Sequence, residues 1–515
     1  MNPSGQAATG ANRVRLRLLA AAGVVLLFAA WAAASLAAGS FFVPAPWTTA
    51  ADTATLLVRA GTWTQILITF LRVCVGFLLG FAAGTAAGMA IGSRREAAAL
   101  LRPLVMFFQG MPPLLWAIPL VALMGIGHVP AIIVITLITF PLVAVTIGEG
   151  MTTLPRELGE MLSVFAPGFR ARTRELVLPH LAPFFGAAVN AGLVLAVKAS
   201  VTAEYFGAND GIGFQIQAAY MSLRIRTLFS WAAVLILVIL AFTSLLPRIR
   251  RWLSGAAKRL RERGALTADE ASAENLRRVF AAPHGLSQGS SAGAPAGEKP
   301  RISFQGVSFS YRHRHPLLQD VSLVVQPGEI AVVTGDSGIG KTTMLKLAAS
   351  LLRPSRGTIH APRRIGYVFQ DERLLPWRTV AENTALPLRY QGFPWKSARA
   401  FASWLLSQAG LAGEEGKRPH ELSGGMKKRA ALARCFARLP DAILMDEPFS
   451  GLHAGARAHL WQMFLRLHAL HPVPAVIVTH YPEEVAVRGR CRVYSLEGRP
   501  GRLVAAGRGR RRPAR

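Results

Sequence analysis

Apolar residues run along this chain in two rhythms, and the change between them comes just after Arg251. Before it lie long, mainly apolar runs: Leu18 to Gly39, which carries no charge, Gln65 to Gly92, Leu104 to Gly125, Val129 to Ile147, Leu181 to Val201 and Leu228 to Leu246. An α-helix needs about 20 apolar residues to cross a bilayer, so these runs predict six spanning helices. The first follows Arg13, Arg15 and Arg17, a pattern that a cleavable signal peptide shares; its length and the spans behind it favour a retained helix. Beyond Arg251 the stretch Ser254 to Arg278 is charged and compatible with a helix. SQGSSAGAPAGEKP, Ser287 to Pro300, has the composition of a flexible linker. From Arg301 short β-branched runs such as IAVVTG, AILMDE and AVIVTH alternate with helical patterns. Each ends in a polar loop, as in a buried parallel sheet. The predicted architecture is an all-α transmembrane domain over 1–253, a connecting stretch 254–300, an α/β domain over 301–503 and a basic tail over 504–515.

The formal net charge of +30 would by itself suggest a nucleic-acid or anionic-lipid partner. Arginine, however, is spread over the loops between apolar runs, without interleaved stacking aromatics, so nucleic-acid binding is not expected. Instead the basic loops orient the helices. The N-terminal tail, the turn with Arg94, Arg95 and Arg102, the segment with Arg156, Arg170, Arg172 and Arg174, and Arg248 to Arg251 are all basic. The alternate loops carry Arg59, nothing around Gly127, and Arg224 with Arg226. Both ends of the six-helix unit are therefore expected to face the cytoplasm, together with everything after Leu246. GRGRRRPAR reads as a solvated basic tail that can also rest on anionic head groups. Cys74, Cys435 and Cys491 have no metal-ligand spacing and read as unpaired thiols of a reducing compartment.

The α/β half carries phosphate chemistry. GDSGIGKTT, Gly335 to Thr343, has the spacing G-x-x-x-x-G-K-T between the strand IAVVT and a helical pattern. Its glycines, Gly335, Gly338 and Gly340, let the backbone around Asp336 and Ser337 curl so that N–H groups face anionic oxygens. Lys341 would neutralise phosphate oxygens, and the Thr342 hydroxyl, followed by Thr343, would ligate Mg²⁺. AILMDEP places Asp446 to hold the metal through its water shell and Glu447 to polarise an attacking water. His480, ending AVIVTH, can contact a γ-phosphate, although a histidine there alone is more often a capping or core residue than a catalytic one. Gln370, in YVFQDERLLPW, is open in the same way. A second stretch, ELSGGMKKR, offers Ser423, Gly424 and Gly425 at a basic helix start, and so presents another set of N–H groups to a phosphate.

In this order and at these intervals GDSGIGKTT, Gln370, LSGGM, ILMDEP and His480 resemble the ATPase subunit of ATP-binding cassette transporters, over Arg301 to about Gly498. The resemblance implies that Tyr311 stacks on adenine, Gln370 senses metal and water, Glu447 is the base and His480 the switch. It also implies that Ser423 and Gly425 complete the ATP site of a second copy of the chain. Two positions depart from the family pattern. Lys428 stands where glutamine is usual, and in Ser450, Gly451, Leu452 and His453 the last residue replaces an aspartate that helps couple the two ATP sites.

The membrane half resembles type I importer permeases of the nitrate, sulfonate and taurine group. FFVPAPW followed by a T-x-x-R-x-x-x-G helix (Thr69, Arg72, Gly76) matches its periplasmic lead, and QGMPPLLWAIPL its proline-broken third helix. LPRELGEMLSVFAPGFRARTRELVLPHLAP resembles the coupling loop that docks on the ATPase; Glu157 and Pro179 are in place, and Ala166 stands for a glycine, with Gly168 nearby. LLPW, Leu374 to Trp377, is typical of the same group. The resemblance implies a bacterial inner-membrane, multi-pass importer with its ATPase in the cytoplasm. A homodimer, ATP with Mg²⁺, an extracytoplasmic solute-binding protein and a small solute complete the set; family cargoes run from nitrate, alkanesulfonates and taurine to thiamine pyrimidine precursors. A fused exporter and a non-transporting regulator are the rival classes. Glu204 and Lys198 are ionisable residues at or near membrane depth, costly unless paired or wet; snorkelling accounts for Lys198 equally well.

Overall fold

The computed structural model describes residues 3–165, 168–263, 270–281, 300–311, 315–480 and 491–505. Ala166, most of the linker Ser287 to Pro300 and the tail GRGRRRPAR lie outside the described residues. The chain forms two compact units, residues 1–154 with 180–258, and residues 155–179 with 259–515.

The first unit is helical: α1 (Pro3–Ala38), α2 (Pro46–Val58), α3 (Ala60–Ser93), α4 (Arg95–Gly110), α5 (Pro113–Met124), α6 (His128–Thr152), α9 (Leu178–Gly207), α10 (Ile212–Met221) and α11 (Ile225–Arg263). Among the described residues five helices are long and apolar enough to cross a membrane, and α4 with α5 makes a sixth span if the bent pair counts as one. Pro112 and Pro113 lack the N–H groups that would continue the ladder of α4, and the two helices meet at 91°. The third predicted span is thus two helices rather than one kinked rod. Its elbow borders a cavity of about 320 Å³ lined by Phe108, Gln109, Pro112, Pro141 and Leu195.

Helix α3 lies against α6 along Gly76, Gly80, Gly84, Gly88 and Gly92. A Cβ on Gly76 would come within 2.7 Å of Ile135, one on Gly84 within 2.6 Å of the Phe140 carbonyl, and one on Gly92 within 2.2 Å of Met151. Spacing by four keeps these glycines on one face, and small residues are what let two helix backbones approach inside a bilayer.

The second unit is built on two sheets. Strands β1 (Ile302–Tyr311), β2 (His315–Val325) and β4 (Arg356–His360) form an antiparallel sheet in the order β2-β1-β4. Strands β3 (Ile330–Gly335), β5 (Ile365–Val368), β6 (Ala442–Asp446), β7 (Ala475–Val478), β8 (Cys491–Glu497) and β9 (Arg502–Ala505) form the other, in the order β5-β6-β7-β3-β8-β9. Neighbours are parallel except β8 with β9. Every residue of β5, β6 and β7 is buried, as expected for parallel strands covered on both faces. The helices are α13 (Lys341–Ala348), α14 (Val380–Tyr390), α15 (Trp395–Gln408), α16 (Gly424–Ala437) and α17 (Ala454–Leu470). Helix α12 (Glu270–Ala281), from the predicted connecting stretch, inserts Leu276 and Phe280 into the same apolar core as Phe401, Phe436 and Phe464.

Candidate nucleotide site and its docked segment

Because β5, β6, β7 and β3 are adjacent and parallel, whatever follows their C-terminal ends shares one edge of the sheet. That edge is the usual ligand crevice of open α/β folds. Gln370 follows β5, Glu447 follows β6, His480 follows β7 and the glycine loop follows β3. Four stretches far apart in sequence are thereby gathered.

Gly335, Gly338 and Gly340 have φ of 145°, 78° and 114°, a region that side chains disfavour. The loop so formed delivers the chain into α13, whose first residue is Lys341. The Lys341 ammonium is folded back on its own loop, donating to the carbonyls of Gly335 (2.7 Å) and Asp336 (3.0 Å). Burial lowers its pKa, against the attraction of Glu447, Asp446 and Asp336. The Thr342 hydroxyl donates to the Asp446 carboxylate at 3.1 Å. Burial pushes Asp446 up to about 6, with the Thr342 bond acting against it and the Glu447 charge adding to it. Asp336, Ser337 and Gly338 are exposed. The Tyr311 ring is half exposed, with its hydroxyl 3.3 Å from that of Thr343.

Glu447 sits at φ 45°, in the left-handed region that costs a side-chain-bearing residue about 1 kcal/mol or more. Three hydrogen bonds hold it there: its N–H donates to the Val478 carbonyl (2.9 Å), and its carbonyl accepts from the Ser450 N–H (3.2 Å) and hydroxyl (3.0 Å). Its carboxylate meets His480 Nε2 at 3.0 Å, so the predicted base and the predicted switch are in direct contact. Lys428 donates to the Ser450 hydroxyl at 3.3 Å, and burial lowers its pKa against the pull of Glu372, Asp371 and Glu447. Gln370 is exposed. Ser423 caps α16, its hydroxyl accepting from the Met426 N–H (3.3 Å). Ser423 and Gly424 are exposed, so this helix start faces outward.

Sequence reasoning did not single out the side chains that receive segment 155–179. In that segment α7 (Arg156–Phe165), the short α8 (Phe169–Arg172) and a π turn (Thr173–Val177) bury Leu158, Met161, Leu162 and Phe165 at helical spacing. The guanidinium groups of Arg434 and Arg438 lie 5.2 and 5.9 Å from the Phe165 ring centre, and Arg438 donates to the Val164 carbonyl. Glu160 accepts from Lys346 and Arg373, each at 2.9 Å. Glu175 accepts from Arg378 Nε (2.8 Å) and Tyr390 (3.0 Å), while Trp377 donates to its carbonyl (3.0 Å). The loop bearing Trp377 and Arg378 is held by Asn383, fully buried. Its amide donates to the carbonyls of Leu375, Arg378 and Thr379, and its side-chain oxygen accepts from the Leu375 N–H. The readable signal was the apolar period of α7 together with LLPW; the ionic partners have no sequence mark.

In the first unit Glu204 is fully buried and paired. It accepts from Arg72 (3.0 Å), Thr69 (2.9 Å), Ser200 (3.2 Å) and the Gly213 N–H (3.0 Å). Arg72 also donates to the Asp210 carbonyl (2.9 Å), the Asp210 carboxylate and His128 Nδ1 (3.0 Å from Nε). A guanidinium cannot accept, so His128 Nδ1 is the acceptor and that nitrogen carries no proton. Lys198 is exposed.

A parallel-sheet ATPase whose phosphate loop, acidic strand end and histidine share one edge, in one chain with a bundle of membrane helices, defines an ATP-driven membrane transporter. A family model described as "ABC transporter" matches residues 318–450, and one described as "Binding-protein-dependent transport system inner membrane component" matches residues 76–259. The aliphatic sulfonates import ATP-binding protein of Rhodococcus jostii is 38% identical over 199 residues, 38% of this chain and 78% of that protein. The formylaminopyrimidine import ATP-binding protein of Halalkalibacterium halodurans is 36% identical over 36% of this chain and 76% of that protein. For a taurine import ATP-binding protein of Jannaschia the values are 40%, 36% and 72%. The chain belongs to the ATP-binding cassette transporter family, with permease and ATPase fused in one polypeptide. It is a multi-pass membrane protein whose cassette binds ATP and couples its hydrolysis to transport.

Proposed function

We propose that two copies of this chain form an importer of a small anionic solute, of the nitrate, sulfonate or taurine kind, in a bacterial inner membrane. The observation that carries the reading is the docking of segment 155–179, from within the permease sequence, onto Lys346, Arg373, Arg378 and Arg438 of the cassette. A membrane domain so attached feels any movement of the nucleotide site. The relatives above, named for sulfonate, taurine and formylaminopyrimidine import, support the direction; a thiamine-pyrimidine-like precursor is the alternative cargo. An extracytoplasmic binding protein delivers the solute.

At each ATP site Tyr311 stacks on the base, the loop Gly335 to Thr343 surrounds the phosphates, and Lys341 exchanges its two loop carbonyls for phosphate oxygens. Mg²⁺ fits the donor set: Thr342 and Asp446 supply hard oxygens, as few protein ligands as this ion normally takes beside phosphate and water. When bound it offsets charge on the phosphates. Glu447 takes the proton of the attacking water as the bond to the leaving phosphate breaks, His480 orients that carboxylate, and Gln370 adjoins the same water. Ser423, Gly424 and Gly425, facing outward, complete the site of the second copy.

Reconstitution in proteoliposomes tests the proposal. ATPase activity stimulated only by a cargo-loaded binding protein supports import. Cargo-stimulated turnover without any binding protein identifies an exporter instead, and absence of turnover under every condition a regulator.

A further inference from the structure

One of the two departures from the family pattern stands a single hydroxyl away from the predicted base. Lys428 lies half-buried on the second turn of α16, and among the described residues its ammonium has one hydrogen-bond partner, the Ser450 hydroxyl at 3.3 Å. Burial lowers its pKa against the pull of Glu372, Asp371 and Glu447, so the charge is held here against desolvation. An ammonium has three donors and no acceptor. Ser450 Oγ is therefore the acceptor in that bond, and its own proton must go to another oxygen. That oxygen is the Glu447 carbonyl, 3.0 Å away. Glutamine, the usual residue at 428, carries an acceptor as well as donors and would let the hydroxyl turn round. Lysine does not. The relay has one direction, from Lys428 through Ser450 to Glu447.

Its far end is the strained residue. Glu447 sits at φ 45°, and from that backbone conformation its carboxylate reaches His480 Nε2 at 3.0 Å. The Ser450 N–H also reaches the Glu447 carbonyl, at 3.2 Å, a contact open to any residue but proline at that place. The hydroxyl is the part that position 428 governs, and a charged donor behind it polarises and strengthens the bond it makes. The loop from Ser450 to His453 is also close to the start of α16, where a Cβ on Gly425 would lie 3.8 Å from Leu452. We propose that Lys428 is a positioning residue for ATP cleavage: acting through the Ser450 hydroxyl, it fixes the backbone of Glu447 and so the aim of the carboxylate that takes the proton of the attacking water. It acts on turnover and not on nucleotide affinity. The inference rests on Glu447 as the base, and on neither the cargo nor the direction of transport.

The test is steady-state ATP hydrolysis by the full chain in lipid nanodiscs, with affinity for a non-hydrolysable ATP analogue measured by calorimetry. Lys428→Met keeps an unbranched stem and loses the donors; it should lower kcat about tenfold, roughly the worth of one hydrogen bond to a charged group, with KM and analogue affinity within about threefold of wild type. Ser450→Ala should lower kcat by a similar factor, and the double variant no further than the larger single loss, because the two act through one bond. Lys428→Arg, again a cation with donors only, should recover at least half of the wild-type kcat. Wild-type kcat in Lys428→Met or in Ser450→Ala, losses that multiply in the double variant, a KM that rises as kcat falls, or a Lys428→Arg chain no faster than Lys428→Met overturns the inference. Wild-type turnover in Glu447→Gln would instead overturn the reading of Glu447 as the base, and this one with it.

Discussion

Replacing Arg72 by methionine is the sharpest probe of the membrane half. The guanidinium is 3% exposed and donates to Glu204, to the carbonyl and carboxylate of Asp210, and to His128. Methionine fills most of the volume and supplies none of these bonds. Glu204, fully buried, keeps Thr69, Ser200 and the Gly213 N–H as donors but loses its counter-charge. Removing one partner of a buried pair costs about 3–5 kcal/mol, and a loss of that size lowers a thermal midpoint by roughly 6–20 °C in a unit of 150–250 residues. Lysine restores the charge without the planar fork, so Arg72→Lys should recover about half. The double variant Arg72→Met with Glu204→Leu removes both buried charges and should cost less than Arg72→Met alone, since an apolar pair of similar volume is often neutral against an ion pair. The assay is the unfolding midpoint of the full chain in detergent. A midpoint for Arg72→Met within 2 °C of wild type would refute the reasoning, as would a double variant worse than the sum of the singles.

Three further outcomes follow from the same packing and site geometry. Gly84→Ala puts a Cβ 2.6 Å from the Phe140 carbonyl, a backbone atom that only movement of α6 can relieve; a cost of about 1–3 kcal/mol is expected, seen as a lower thermal midpoint, and wild-type stability would contradict the packing of α3 on α6. Glu447→Gln should lower kcat for ATP by at least ~100-fold while calorimetry finds ATP binding within ~3-fold of wild type; loss of binding would mean that the residue holds nucleotide rather than activates water. Mixed dimers of one Ser423→Arg protomer with one Lys341→Ala protomer should keep close to half the wild-type hydrolysis, because one composite site stays whole; activity no higher than in either homodimer would place each Ser423 at the pocket of its own chain.

The nucleotide edge was legible because its chemistry sits at strand ends. IAVVT, AILM and AVIV each run into a candidate site residue, and parallel packing of buried strands is enough to bring those ends together. The receiving surface for segment 155–179 was not legible in the same way. A lysine at 346 or an arginine at 373 declares its charge but not its partner, and Glu160 lies 213 residues from Arg373. The same limit covers Glu204: its expense at membrane depth was readable, but the arginine that answers it is 132 residues away on α3. Two consecutive prolines announce a break after Gly110 without fixing its angle, since proline removes donors and leaves the direction of the next helix to its neighbours.

His453 shows how a departure from pattern divides into parts. By sequence it is a missing carboxylate. In the structure it is the N-cap of α17, its Nδ1 accepting from the Ala456 N–H at 3.3 Å, the service that an aspartate side chain gives at the same position. An imidazole nitrogen can accept there only while unprotonated, so the cap is kept by a neutral group and the negative charge is gone. The helix start is thus conserved in geometry and altered in field: a carboxylate would add to the favourable interaction with the N-terminal end of the helix dipole by about 0.3–1 kcal/mol, and a neutral ring does not. His453→Asp should therefore stabilise α17 by about that amount while leaving its boundaries unchanged, and any larger effect on ATP turnover would measure what the charge contributes beyond its own helix.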